Sequence, residues 1–132
     1  MRVLIADDSR VMRAYVRGVL KDRYNCSSSE VASGFEALRL LPRERFDLVV
    51  TDINMPDING LELVRFIRSS ERHKDVPLLI ISTQTSGQSR KRVLDLGADA
   101  FLAKPFEPET LVDAVDRLLN RCGGRAEVGD LP

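Results

Sequence analysis

The sequence has 132 residues, 43% of them hydrophobic and 30% charged, which suits one domain with a buried core and is too short for two ordinary domains. Twenty lysines and arginines balance twenty aspartates and glutamates, so the net charge gives no reason to expect a nucleic acid or an anionic membrane as a partner. No apolar run approaches the roughly 20 residues of a membrane-spanning helix, and the first apolar stretch is too short for a secretion signal.

Strand and helix patterns alternate through the first half of the chain. Residues 3–6 (VLIA) predict a buried strand, and apolar residues then recur at helical spacing as far as Leu20. Residues 27–33 (SSSEVAS) are a weak strand candidate, followed by a short helix that Pro42 ends. Residues 47–51 (DLVVT) predict a second buried strand.

The same alternation continues through the second half. A turn at Gly60 leads into a helix with one apolar face, and residues 77–82 (PLLIIS) predict another strand. A more polar helix ends at Gly97, a typical C-terminal cap residue. Residues 100–103 (AFLA) predict the last strand, and Pro108 stands where proline is favoured, in the first turn of a final helix.

The clearest strands are continuously apolar, which is typical of a parallel sheet covered by helices on both faces. We therefore predict an α/β domain with a doubly wound, five-stranded parallel sheet of order 2-1-3-4-5 and five helices, a flavodoxin-like three-layer sandwich. We assign residues 1–121 to this domain. The glycine-containing residues 122–132 are expected to form a flexible tail or the stub of a linker.

Every strong strand ends in a polar residue. Asp7 and Asp8 follow the first strand, Asp52 ends the next strong one, Ser82 ends the third and Lys104 follows the last. Ligands of doubly wound sheets bind outside the carboxyl ends of the strands. The sequence therefore predicts one site at this edge, although each residue alone could be a helix cap, a turn residue or a strand-end hydroxyl.

These residue types favour phosphoryl-transfer chemistry. Three neighbouring carboxylates repel each other unless a cation compensates them, and Mg²⁺ accepts carboxylate oxygens and commonly bridges to phosphate. A lysine adds a point charge for phosphate oxygens, and an aspartate carboxylate can accept a phosphoryl group.

The motifs VLIADDS, DLVVTDINMPDINGLEL, PLLIIST and LGADAFLAKPF resemble the receiver domain of two-component response regulators, and the likeness covers about residues 1–121. The segment DDSRVMRAYVRGVL is similar to receivers of the chemotaxis type. The resemblance implies that Asp52 is the phosphoacceptor and that Asp7 and Asp8 are the acidic pair for Mg²⁺, with Asp8 the direct ligand.

Further roles follow from the same resemblance. Asn54 would give its backbone carbonyl to the metal, Lys104 would contact the phosphoryl group, and Ser82 would be the switch hydroxyl. Phe101 occupies the aromatic switch position. The bond between Lys104 and Pro105 is expected to be cis.

Some positions keep two interpretations. Many receivers carry a small residue where this chain has Thr83, which could slow small phosphodonors, alter the inward movement of the loop or itself serve as the switch hydroxyl. Gly60 is either an ordinary helix-start glycine or one that lets the backbone bend over the metal. The basic residues 90–92 are a solvated face or a docking surface for an acidic partner.

The implied function is a phosphorylation-dependent signalling switch rather than an enzyme, although the domain would assist its own phosphorylation and dephosphorylation. A sensor histidine kinase or phosphotransfer protein would donate the phosphoryl group. The face formed by the fourth helix, fifth strand and fifth helix would bind the output partner or a second copy. No direct contact with nucleic acid or membrane is expected, and the location would be cytoplasmic.

Other functions are compatible with parts of the pattern. A flavodoxin-like electron carrier would need a phosphate loop rich in Ser, Thr and Gly where the chain has ADDSRVM. An Asp-nucleophile phosphohydrolase would carry a second aspartate where Asn54 stands. The chain could also be a receiver excised from a larger regulator or hybrid kinase, or a receiver fold that signals without phosphate.

The cysteines and the single histidine do not indicate a metal site. Cys26 and Cys122 lack metal-ligand spacing, so we expect two unpaired thiols in a reducing cytoplasm. His73 lies in the charged segment SSERHKD, and we expect a solvated surface side chain.

Overall fold

The computed structural model describes residues 1–83 and 86–123, with side chains as far as residue 120. The strands are β1 (Arg2–Ala6), β2 (Ser27–Val31), β3 (Leu48–Asp52), β4 (Leu78–Ser82) and β5 (Ala100–Ala103). The helices are α1 (Arg10–Tyr24), α2 (Gly34–Leu40), α3 (Gly60–Ser69), α4 (Gly87–Leu96) and α5 (Pro108–Gly123). All strand pairs are parallel and their order is β2-β1-β3-β4-β5, which confirms the predicted fold.

Two apolar clusters cover the two faces of the sheet. Leu4 packs in the cluster that includes α2, α3 and α4 residues, while its neighbours Val3 and Ile5 pack in the cluster with α1 and α5. Successive side chains of a strand point to opposite faces, so an uninterrupted apolar strand buries all its side chains. Each large apolar side chain that becomes fully buried contributes roughly 1.5–3 kcal/mol, and the sheet is consequently a rigid support for the residues at its edge.

The predicted domain boundary falls inside the last helix. α5 continues to Gly123, so two residues assigned to the tail have helical backbone, and residues 124–132 lie outside the described residues. Cys26 is buried with a free thiol, whereas the side chain of Cys122 lies outside the described part. None of the helices in the described ranges is both long enough and apolar enough to cross a membrane.

One arginine connects several elements at the edge opposite the strand carboxyl ends. Arg68, near the end of α3, donates to the carbonyl of Gly97 at 2.8 Å, to those of Lys74 and Val76 at 3.0 and 2.8 Å, and to the Asp99 carboxylate at 2.8 Å. Gly97 has φ +121° and a side chain there would lie 2.8 Å from Arg68 Cγ, which explains the glycine. The C-terminal end of α4 is thereby fixed to α3 and to the start of β5.

The expectation for His73 is wrong, because its side chain is 1% exposed. Its Nε2 accepts the backbone N–H of Phe46 at 3.0 Å, and the two rings lie 5.9 Å apart. An imidazole that accepts through Nε2 carries its single proton on Nδ1 and is therefore neutral. The charged sequence around His73 is solvated, but the contact with Phe46 buries the ring itself.

We expect the buried His73 to make folding stability depend on pH. Burial and then the positive charges of Arg72 and Arg45 lower the pKa of His73 below its ordinary value of 6.5. The unfolded chain therefore binds the proton first as the pH falls below 6.5, and stability is lost until the pH reaches the folded-state pKa, at up to about 1.4 kcal/mol per pH unit. Urea unfolding at pH 7.5 and 5.5 measures this loss.

The matched variant is His73→Gln, whose amide oxygen can accept the Phe46 N–H and does not titrate. The wild type should lose more stability than this variant between the two pH values. Equal losses in the two proteins would show that other groups cause the pH dependence.

Candidate functional site

Three carboxylates meet at the carboxyl ends of β1 and β3. Asp7 directly follows β1 and is fully buried, and Asp52 ends β3 and is 5% exposed, whereas Asp8 is exposed. One oxygen from each lies within 4.8 Å of the others. Hard divalent cations such as Mg²⁺ prefer oxygen ligands of this kind, so the donor set and its spacing fit the ion that the sequence predicts.

Lys104 supplies the positive charge between two of these acids. Its Nζ lies 2.8 Å from Asp7 Oδ2 and 3.3 Å from Asp52 Oδ2, and its side chain is 12% exposed. Burial disfavours the charged lysine, but the hydrogen bond to Asp7 and the charge of Asp52 outweigh it and raise the pKa of Lys104. The ammonium is therefore present throughout the neutral pH range.

The environment of Asp52 disfavours its negative charge. Burial raises its pKa, the ammonium of Lys104 opposes the rise and the charge of Asp7 adds to it. The backbone N–H of Asn54, just beyond the strand, also hydrogen-bonds this carboxylate. The carboxylate is therefore partly desolvated in the folded state, so a group that binds it has little solvent to displace.

The strand register places Ser82 and Lys104 at the same sheet edge as Asp52. Asp52 pairs with Ile81, so Ser82 lies one residue further along β4, and Ser82 pairs with Ala103, directly before Lys104. The carbonyl of Ser82 accepts the backbone N–H of Lys104 at 2.8 Å. Ser82 is fully buried. Thr83, the next residue, is exposed.

Comparison with known proteins agrees with this geometry. Residues 3–116 match the family model of the response regulator receiver domain. The chain belongs to this family. It is 31% identical to the chemotaxis protein CheY of Pseudomonas aeruginosa over 94% of this chain and 100% of that protein. It is also 40% identical to the response regulator MprA of Mycobacterium leprae, over 92% of this chain and 52% of that protein.

Solved structures show the same fold. The chemotaxis response regulator CheY4 of Vibrio cholerae is 36% identical, with a TM-score of 0.84 over 89% of this chain and 98% of that chain. Receiver domains are signalling modules, and the expected two-component, CheY-like character of the chain is confirmed.

Of the remaining predicted residues of this receiver domain, Asn54 and Pro105 follow strand ends at this edge, whereas Phe101 lies within β5. Asn54 is exposed in the loop after β3, and the bond from Lys104 to Pro105 is cis. Phe101 is half-buried in β5, with the Arg90 guanidinium 5.2 Å from its ring centre. Residues 90–92 are exposed, but Arg90 also covers this aromatic ring.

Asp57, which the sequence interpretation missed, anchors the loop after β3 of the receiver domain. Its carboxylate accepts the backbone N–H groups of Gly34 and Phe35 at 3.1 Å each and that of Ile58 at 2.7 Å. These bonds lower the pKa of Asp57, although burial works against them. The loop that carries Asn54 is thus tied to the start of α2, a contact across 23 residues of chain that no periodic pattern reveals.

Gly60 begins α3 and also passes close to the end of β3. A Cβ atom there would lie 2.5 Å from the Asp52 carbonyl oxygen and 2.7 Å from Ile53 Cα. Its N–H donates to the Ile53 carbonyl at 2.7 Å. Gly60 therefore starts the helix and also lets the loop fold back onto the end of β3. That the loop bends there over a metal stays a prediction.

Arg13 supports the acidic pair from α1. It donates through Nη1 to the carbonyl of Asp7 at 2.6 Å and through Nε to the Glu30 carboxylate at 3.2 Å. Asp7 Oδ1 in turn accepts the backbone N–H of Ser9 at 2.8 Å, the residue that caps α1. The backbone of the acidic pair is consequently fixed from both sides.

Proposed function

We propose that this receiver domain is a signalling switch that accepts a phosphoryl group on Asp52 from the phosphohistidine of a sensor histidine kinase or phosphotransfer protein. The observation that supports it most is the joint placement of the three carboxylates within 4.8 Å and of Lys104 between Asp7 and Asp52. Each group would have a separate task in phosphoryl transfer, where catalysis is mainly positioning and charge neutralisation.

In the transfer, an Asp52 carboxylate oxygen attacks phosphorus while the bond from phosphorus to the donor imidazole breaks and its electrons return to the imidazole. Lys104 neutralises charge on the phosphoryl oxygens, since its Nζ already lies 3.3 Å from Asp52 Oδ2. Asp7, Asp8, Asp52 and the Asn54 carbonyl would hold Mg²⁺. Bound there, the ion would neutralise the carboxylates and the phosphoryl oxygens.

The oxygens of the phosphoryl group on Asp52 would then change the surface that binds the output partner. They attract the hydroxyl of Ser82, the loop after β4 moves inward, and Phe101 packs into the space that opens. Phe101 has no hydroxyl, so its movement depends on packing and on the release of Arg90 from its ring. The surface of α4, β5 and α5 would then change its preference for an output partner or a second copy of the chain.

This assignment includes several finer proposals. The domain assists its own phosphorylation and dephosphorylation without being an enzyme for another substrate, acts in the cytoplasm, and contacts neither nucleic acid nor membrane directly. Residues 122–132 serve as a tail or linker. Similarity to a chemotaxis protein over its full length and to part of a longer regulator is compatible with either a separate receiver or a receiver within a larger protein.

Incubation with acetyl phosphate and Mg²⁺ is expected to add one phosphoryl group, visible as a single adduct in an intact mass spectrum. Removal of the metal with EDTA should abolish the adduct, because the carboxylates then remain uncompensated. Phosphohistidine on a donor protein replaces acetyl phosphate in a second arm, since Thr83 could hinder small donors.

The controls separate the rival functions. Turnover of a generic phosphate ester would favour a phosphohydrolase, and a yellow protein with bound flavin would favour an electron carrier. Absence of an adduct with either donor would contradict phosphoryl transfer and leave a receiver fold that signals without phosphate.

A further inference from the structure

The segment that carries Lys104 is fixed at its two ends by backbone hydrogen bonds. We call residues 104–107 the lysine segment. At its start, the Lys104 N–H donates to the Ser82 carbonyl at 2.8 Å. At its end, the Glu107 carbonyl accepts the N–H groups of Thr110 and Leu111 at 3.0 and 3.2 Å, in the first turn of α5.

Tyr15 in α1 holds the middle of the lysine segment. Its hydroxyl donates to the Phe106 carbonyl at 2.8 Å, across 91 residues of chain, and the two rings lie 5.6 Å apart with a tilt of 37°. Tyr15 and Phe106 are both half-buried, while Pro105 between Lys104 and Phe106 is exposed. The Phe106 ring also packs against the apolar cluster with α1 and α5, and the Tyr15 hydroxyl adds a directional tie at the Phe106 carbonyl.

We propose that Tyr15 is a positioning residue for phosphoryl transfer, because its hydrogen bond to Phe106 keeps the lysine segment where the Lys104 ammonium reaches both Asp7 and Asp52. This inference rests on the function proposed above. Tyr15 touches neither the phosphoryl group nor the carboxylates and acts through Lys104.

The two contacts of the Lys104 ammonium explain why a small displacement of the lysine segment would affect phosphoryl transfer. Lys104 Nζ contacts Asp7 Oδ2 at 2.8 Å and Asp52 Oδ2 at 3.3 Å, so the second contact is already the longer one. A displacement of the segment by a few tenths of an ångström, taken up at this second contact, would weaken neutralisation at the attacking carboxylate. Positioned charges stabilise the transition state only when they need not reorganise during the reaction.

α1 contains a matched control for this contact. Tyr24 also sends its hydroxyl from α1 to the C-terminal part of the chain, where it donates to the Val112 carbonyl at 3.4 Å and to the Asp116 carboxylate. These partners lie in the body of α5, beyond the lysine segment. Tyr24→Phe thus removes a comparable tie between α1 and α5 without releasing Phe106.

Tyr15→Phe keeps the ring contact and removes only the hydroxyl donor. We expect it to lower the rate of phosphorylation by acetyl phosphate and Mg²⁺ roughly threefold to tenfold, which corresponds to the loss of one ordinary hydrogen bond. The dissociation constant for Mg²⁺, from calorimetry, should stay within about twofold of the wild type, since the carboxylates are unchanged. Tyr24→Phe should phosphorylate at the wild-type rate.

A second measurement reports on Lys104 without phosphorylation. In protein labelled with ¹⁵N-lysine, the Lys104 ammonium resonance, assigned from Lys104→Arg, should shift or broaden in Tyr15→Phe and stay unchanged in Tyr24→Phe. If the Lys104 resonance is unchanged in Tyr15→Phe, the idea that Tyr15 acts through Lys104 is overturned. An unchanged rate in Tyr15→Phe, or equal rate losses in the two variants, overturns the positioning role.

Failure of the proposed function would be distinguishable from failure of this inference. If neither acetyl phosphate nor the phosphohistidine donor protein phosphorylates the wild type, the proposed function fails, while the lysine resonance still decides whether Tyr15 positions Lys104. If the wild type is phosphorylated and Tyr15→Phe matches it in rate and resonance, only the inference about Tyr15 fails.

Discussion

Asp52→Asn is expected to give no phosphoryl adduct with acetyl phosphate and Mg²⁺ under conditions in which the wild type forms one. The amide cannot attack phosphorus as a carboxylate does, and it also removes one of the three oxygen donors grouped within 4.8 Å. Intact mass spectrometry measures the adduct directly.

The same variant should remain folded. Burial raises the pKa of Asp52, so the charged side chain is disfavoured in the folded state at neutral pH, and the charge of Asp7 adds to this cost despite Lys104. A neutral amide of the same shape removes that cost. We expect the midpoint of urea unfolding at pH 7 to be equal to or above that of the wild type, so loss of labelling cannot be attributed to unfolding.

Asp57→Asn is the control for Asp52→Asn. Asp57 lies in the loop directly after β3, but its carboxylate faces the N–H groups of Gly34 and Phe35. An asparagine there keeps one acceptor oxygen, and the adduct should form. Labelling that persists in Asp52→Asn and disappears in Asp57→Asn would move the phosphoacceptor to the loop.

Gly60→Ala is expected to destabilise the domain by about 1–3 kcal/mol, the usual range of substitutions that force atoms into a packed region. The added methyl group would lie 2.5 Å from the Asp52 carbonyl oxygen and 2.7 Å from Ile53 Cα. Both neighbours are backbone atoms at the end of β3 and the start of the following loop, so relief of the overlap must move the end of β3 or the start of α3. Urea unfolding measures the loss of stability.

Gly18→Ala provides the opposite result in the same assay. Gly18 lies inside α1, and a Cβ atom there has nothing within 4 Å. Alanine in an open helical position should stabilise the domain by about 1 kcal/mol. A Gly60→Ala protein as stable as the wild type would show that the loop after β3 can shift at little cost, against the close approach described above.

The fold and the grouping of the site residues could be predicted because both depend on local patterns. Apolar strands of four or five residues alternate with amphipathic helices, and a parallel sheet brings every strand end to one edge. The acids after β1 and β3, Ser82 and Lys104 are therefore placed together by strand order alone. Their roles in phosphorylation remain predictions.

The contacts that refine the site could not be predicted in this way. Tyr15 and Phe106 are separated by 91 residues, and the helical pattern of α1 only shows that Tyr15 lies on an inner face. The expectation of a solvated His73 fails for the same reason. Its charged sequence neighbours are exposed, but Phe46, 27 residues earlier, covers its ring. Pairings between distant side chains depend on tertiary packing, which single-sequence periodicity does not encode.

The anchoring of α4 by Arg68 has a mechanical consequence. Because the C-terminal end of this helix is tied through Gly97, any reorientation of α4 would pivot about that end, which is remote from Asp52. α4 has 10 residues, a length of about 15 Å, so a rotation of about 10° would displace its N-terminal end by roughly 2.5 Å and its C-terminal end by very little. A spectroscopic probe at Gln88 would therefore report the rotation, whereas one at Asp95 would serve as the stationary reference.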